Sequence, residues 1–257
     1  MSEGLDARLS VRRNHQELFD IADVLVPMLE RLYLVAEGPP TRGAFLGMLN
    51  NAASKTRELL SSVVLLCLEE RAMSAAILDR ALLELATNAK WVQRDIEARL
   101  PACLYKTYRE KDYTLKKQED ATGRRLPSRA EVGEALRFLR EKYPSCRKTA
   151  STRTEDKMEQ IDEGKAYVLY RFLSGLLHSE WEGLTFPLQG SPAPRADQQG
   201  TRNIDSIDRV LWSACFCACG LLEVIRDNSL QGRFPSDRLS GIIEQLHNWA
   251  SERFGTP

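Results

Sequence analysis

Ile77-Leu-Asp-Arg-Ala-Leu-Leu-Glu-Leu-Ala-Thr-Asn88 decides the fold class of this chain of 257 residues. An α-helix turns about 100° per residue, so residues three and four apart share a face. Ile77, Ala81, Leu85, Ala89 and Val92 line one face of a helix predicted from about Met73 to Arg99. Arg80, Glu84 and Asn88, at i, i+4 and i+8, line another. No strand period interrupts the pattern.

The same periodicity extends in both directions. Leu18, Ile21, Ala22, Leu25, Met28, Leu29 and Leu32 predict a helix over 14–35, stopped by Gly38-Pro-Pro40. A long helix follows from Thr41 to about Glu70. Beyond Pro101, read as a break, a charged tyrosine-rich helix spans Cys103 to about Asp120. Gly123 and Pro127 break the chain again, with Ser128 as N-cap of a helix over Arg129–Tyr143. Ser145–Thr154 reads as a loop, then a helix runs from about Glu155 to His178. Glu182–Gly200, with three prolines and three glycines, reads as a long loop. Helices over about Asn203–Arg226 and Pro235–Arg253 close the chain. The prediction is an all-α bundle of seven or eight helices forming one domain: an N-terminal helix (1–40), a core (41–228) and a C-terminal helix (229–257).

Hydrophobic residues make up 43% and charged residues 28%, the composition of an ordinary globular chain. Net charge is zero, yet Lys106–Arg153 holds fourteen Lys and Arg against seven Asp and Glu, a local balance of 14 − 7 = +7. Cations there alternate with Tyr105, Tyr108, Tyr113 and Tyr143. Two readings stand: a solvated helical face, or an RNA-contacting surface in which cations meet phosphates and tyrosines stack on bases. Lys116, Lys117, Arg124 and Arg125 are its candidate RNA-binding residues.

Met1–Arg13 lacks the apolar core of a signal peptide. The most apolar run, Leu211–Leu222, falls short of the ~20 residues needed to cross a bilayer. A cytoplasmic protein with no membrane contact is expected, its six cysteines reduced. Cys215-x-Cys217-x-Cys219 lies among Leu211, Trp212, Phe216, Leu221 and Leu222 and reads as core, because structural zinc sites pair cysteines at other spacings. No metal and no cofactor is expected. His15 and His247 lack ligand partners at suitable spacing. No phosphate-binding glycine loop, His-Glu-x-x-His or Gly-x-Ser-x-Gly occurs, which argues against kinases, dinucleotide enzymes, metalloproteases and serine hydrolases.

A second polar stripe lies at Tyr167, Arg171, Ser174 and His178, extended by Trp181. Seven residues are nearly two helical turns, so Arg171 and His178 project side by side with Ser174 between them. A permanent cation beside a group that exchanges protons near neutral pH suits phosphate chemistry. The structural alternative pairs Arg171 with Glu84 and lets His178 face a helix C-terminus. Glu84 or Asn88, supported by Arg80, orients Arg171 or His178 in the sharper reading; in the other, Arg80 and Glu84 form a salt bridge that docks their helix.

Arg171-x6-His178 resembles the signature of the HEPN superfamily. The segments Leu78–Glu84 and Tyr170–Ser179 together resemble a bacterial family of uncharacterised all-helical proteins, over about residues 50 to 228. The HEPN resemblance implies a HEPN-like core and a metal-independent ribonuclease. His178 would serve as general acid or base while the RNA 2′-hydroxyl attacks its own phosphate, and Arg171 would hold that phosphate. It further implies a homodimer with both motifs facing one cleft. The nuclease reading extends to a toxin or defence effector governed by a regulatory protein partner. Phe172 departs from the polar residue usual after the arginine. That departure supports the alternative, a non-catalytic helical binding or scaffold module in which Arg171, His178, Arg80 and Glu84 are structural.

Overall fold

The computed structural model describes residues 2–32, 34, 39–161, 196–228 and 234–254. Ten helices form the described chain: α1 (Ser2–Asn14), α2 (Gln16–Glu30), α3 (Pro40–Leu68), α4 (Ala72–Gln93), α5 (Ile96–Thr122), α6 (Pro127–Lys142), α7 (Cys146–Thr149), α8 (Thr154–Gln160), α9 (Ala196–Asn228) and α10 (Ser236–Phe254). No strand occurs among the described residues. The chain is all-α, and no described helix is long and apolar enough to cross a membrane.

The central layer is α3, α4 and α9 packed on one another, with α2 against α3 and α9, and α10 against α9. The apolar register of α2 is the one its sequence predicts: Leu18, Ile21, Ala22, Leu25, Met28 and Leu29 are all buried. In α4 the predicted face holds at Ala89 and Val92, which are buried, but in the first turns the deepest face is rotated from it. Ala75, Ala76, Asp79, Leu82, Leu83 and Ala86 are buried, whereas Ile77 is 55% exposed. Several helices meet α4 at once, so its most enclosed side follows the packing partners rather than its most apolar residues.

Several expected boundaries move. The polar segment Ser2–Asn14 is helical, as α1. Pro101 does not break the chain; it sits inside α5. That helix starts earlier because the Asp95 side chain accepts the Ala98 backbone N–H at 3.1 Å, and burial of Leu100 and Ala102 holds the turn around the proline. α6 begins at Pro127, with Leu126 rather than Ser128 as its N-cap. Proline suits the first helical position because its missing N–H has no partner there to lose. The 145–154 segment contains the single-turn α7. Residues 196–200, expected in a loop, already belong to α9.

α5 and α6 form a helical arm with its own small core of Tyr105, Val132, Leu136, Leu139 and Cys146. Gly123, at φ +68°, ends α5 in the left-handed conformation, and its N–H reaches the Glu119 carbonyl at 2.8 Å. Glu119 also accepts the Leu126 backbone N–H at 2.8 Å and pairs with Arg129, which reaches Asp112 at 3.2 Å. The Leu126 bond, followed by that from Arg129, holds the Glu119 carboxyl below its usual range.

All six cysteines are free thiols, and five are buried. Cys215, Cys217 and Cys219 pack in the main core. Burial pushes the Cys67 and Cys219 thiols up to about 12.

Candidate RNA interface and the polar stripe of α4

Lys116 and Lys117 on α5, and Arg124 and Arg125 at its end, are all exposed on the arm. Two large rings share this exposure: Tyr113 is 63% and Phe138 55% accessible. The Lys117 ammonium lies 5.6 Å from the Tyr113 ring centroid, and Lys142 lies 5.4 Å from that of Phe138. Of the four tyrosines in the predicted alternation only Tyr113 is exposed; Tyr108 and Tyr143 pack against the arm's core, and the second exposed ring is Phe138, which the alternation did not include. Tyr105, by contrast, is consumed in the arm's core.

The stripe Arg80, Glu84 and Asn88 divides in two. Arg80 Nε lies 3.6 Å from Glu84 Oε1, in a pair that is about one-third to one-half exposed. Asn88 turns instead to α8, where its Oδ1 accepts a 2.7 Å hydrogen bond from Lys157 Nζ. Lys157 is only 5% exposed, and its ammonium stands 4.6 Å from the Trp91 ring centroid. Burial holds this amine below its ordinary pKa; Cys103 pulls the other way, Lys106 adds to the depression, and Glu84 opposes it. Burial likewise raises the Cys103 thiol, against the pull of Lys157 and Lys106.

Further bonds tie α8 to α4. Trp91 Nε1 donates to Gln160 Oε1 at 2.8 Å, and the Arg94 guanidinium donates to the Gln160 carbonyl at 2.6 Å and to that of Ile161. Both carbonyls lie at the C-terminal end of α8 as described. Asn88, Trp91 and Arg94 fall at three-residue steps along the α4 segment, the signal by which this clamp is legible in sequence. Tyr167, Arg171, Ser174 and His178 lie outside the described residues, as do Phe172 and Trp181.

Two buried polar groups carry no such signal in the sequence. His15 Nδ1 lies 2.5 Å from Asp208 Oδ1, and Arg253 donates to Asp208 Oδ2 at 2.9 Å, joining the α1–α2 corner, α9 and α10. Asp79 is wholly buried, and neither its carboxyl oxygens nor the buried Ser213 hydroxyl has a hydrogen-bond partner among the described residues. Burial raises the Asp79 carboxyl well above its usual range; the nearby Ser213 hydroxyl, which falls short of hydrogen-bond geometry, opposes the rise without cancelling it.

Fold and surface together define an all-α bundle bearing a basic, aromatic helical arm. The chain belongs to a family of unknown function, DUF5677, which matches residues 48–191, more than half its length. That span holds the α4 stripe, the arm, α8 and the positions of Arg171 and His178. No curated protein and no solved structure matches the chain.

Proposed function

We propose that this protein binds single-stranded RNA along the α5–α6 arm and cleaves it without a metal at Arg171 and His178, in a HEPN-like manner. The observation that carries the reading is the solvent face of the arm. Tyr113 and Phe138 stay exposed, each beside a lysine, and Lys116, Lys117, Arg124 and Arg125 are exposed on the same arm. Burying such rings would stabilise the fold, so a face serving stability alone gains nothing by leaving them in water. An exposed ring offers a base a stacking surface, and the adjacent cation meets its phosphate.

In the chemistry, a His178 imidazole removes the ribose 2′-hydroxyl proton as that oxygen attacks the adjacent phosphorus. The bond to the 5′-oxygen breaks, leaving a 2′,3′-cyclic phosphate and a 5′-hydroxyl. Arg171 balances the charge that builds on the phosphoryl oxygens. In a homodimer the second imidazole protonates the departing oxygen. A regulatory protein partner would restrain this activity in a toxin or defence role.

The test is cleavage of mixed cellular RNA with a chelator present, comparing wild type with His178→Ala. Cleavage by wild type alone supports the reading; equal cleavage by both removes His178 from the mechanism. A second reading, RNA binding without cleavage, is favoured by the engagement of the α4 stripe. Glu84 has Arg80 as a counter-ion and Asn88 is committed to Lys157, so both serve packing without needing Arg171. RNA retention by the arm with no cleavage by either protein would select it.

A further inference from the structure

The middle of α5 and the turn between α7 and α8 enclose a cleft of about 400 Å3, whose walls include Lys106, Arg109, Glu110, Ser151, Arg153 and Thr154. Three cations face one carboxylate there, a balance of 3 − 1 = +2. Glu110 lies 4.0 Å from Lys106, one turn away on the same helix. No carboxylate is within ion-pair distance of Arg109 or Arg153 among the described residues.

The turn is held from within. The Ser151 N–H and hydroxyl both donate to the Lys148 carbonyl, at 3.2 and 2.6 Å, and those of Thr152 donate to Thr149, at 3.2 and 2.8 Å. The Arg153 N–H donates to Asp156 at 3.2 Å. Arg153 therefore projects from a fixed backbone, which lowers the entropy lost when its guanidinium binds.

We infer that this cleft binds a phosphomonoester dianion, gripped by Arg109, Arg153 and Lys106. Guanidinium forks match the oxygens of a phosphate, and a terminal phosphate approaches a charge of −2 near neutral pH whereas an internal phosphodiester carries −1. The balance of the cleft fits the former. The dianion has two sources: a free nucleoside monophosphate, or the phosphorylated end of an RNA strand lying on the adjoining arm. The inference does not rest on the nuclease reading, because neither Arg171 nor His178 takes part.

Calorimetric titration of the full chain tests it, with adenosine monophosphate against adenosine. A second arm compares 5′-phosphorylated with 5′-hydroxyl hexauridine, using His178→Ala so that no bound strand is cut. Phosphate-dependent binding that weakens roughly tenfold or more in Arg109→Ala/Arg153→Ala supports the site. Both arginines are exposed, so this variant keeps its fold. Binding of the monophosphate makes a free nucleotide sufficient. Phosphate dependence seen only with the oligonucleotide makes the RNA end the source. Absence of phosphate dependence in both arms, or phosphate dependence unchanged in the double variant, overturns the inference.

Discussion

Asp79→Asn isolates the energetic cost of a carboxyl buried in the α3–α4–α9 layer. The side chain is wholly enclosed and its oxygens have no hydrogen-bond partner among the described residues. An unpaired charge in such a place costs several kcal/mol, so the folded protein keeps the proton. The unfolded chain releases it above about pH 4. A carboxyl whose folded pKa is raised contributes stability that is complete below the unfolded value and is lost as pH rises towards the folded value. Within that window the loss is about 1.4 kcal/mol per pH unit. Asparagine has nearly the same shape and no proton to hold. Urea unfolding of wild type and Asp79→Asn at pH 5, 6, 7 and 8 should therefore give a stability difference that moves in favour of the variant with that slope. Groups that titrate alike in both proteins cancel in the difference. A difference independent of pH would refute the reasoning, since it would mean that Asp79 ionises in the fold as readily as in water.

Tyr113→Ala is expected to weaken single-stranded RNA binding by about 1–3 kcal/mol, measured by fluorescence anisotropy, while leaving the melting temperature nearly unchanged. Lys116→Ala/Lys117→Ala should reduce the slope of log K against log salt by about 0.7 for each phosphate that the two lysines neutralise; an unaltered slope would take both off the RNA path. Asn88→Ala removes the hydrogen-bond partner of the buried Lys157 ammonium and should cost about 1.5–3 kcal/mol in denaturant unfolding. Asn88→Asp should recover the loss at neutral pH by supplying a counter-ion, and failure to do so would show that Lys157 is not charged where it sits. Under the nuclease reading, His178→Ala should abolish chelator-resistant cleavage without altering retention of RNA by the arm.

The helical class was legible because 3.6-residue periodicity is a local property, written into α2 and α3 whatever surrounds them. The breaks at Gly123 and Pro127 were legible for the same reason: a left-handed turn and a missing N–H act within a few residues. Pro101 misled because the energy that carries α5 through it comes from the Asp95 cap and from burial of its neighbours. The basic arm was visible as composition. That Tyr113 and Phe138 face water while Tyr105 does not depends on how α5 and α6 meet.

The sequence by itself determined the all-helical class, the placement of charge along the chain and the spacing that sets Arg171 and His178 on one face of a predicted helix, since each follows from order within a single segment. Only tertiary structure decided which face of α4 is enclosed, that Asn88 serves Lys157, that Asp79 is buried in the core with no hydrogen-bond partner among the described residues, and that residues 106–110 meet 150–154 around a cleft. These join segments far apart in the chain, and their energies depend on burial and on the fields of neighbouring helices, which no periodicity encodes.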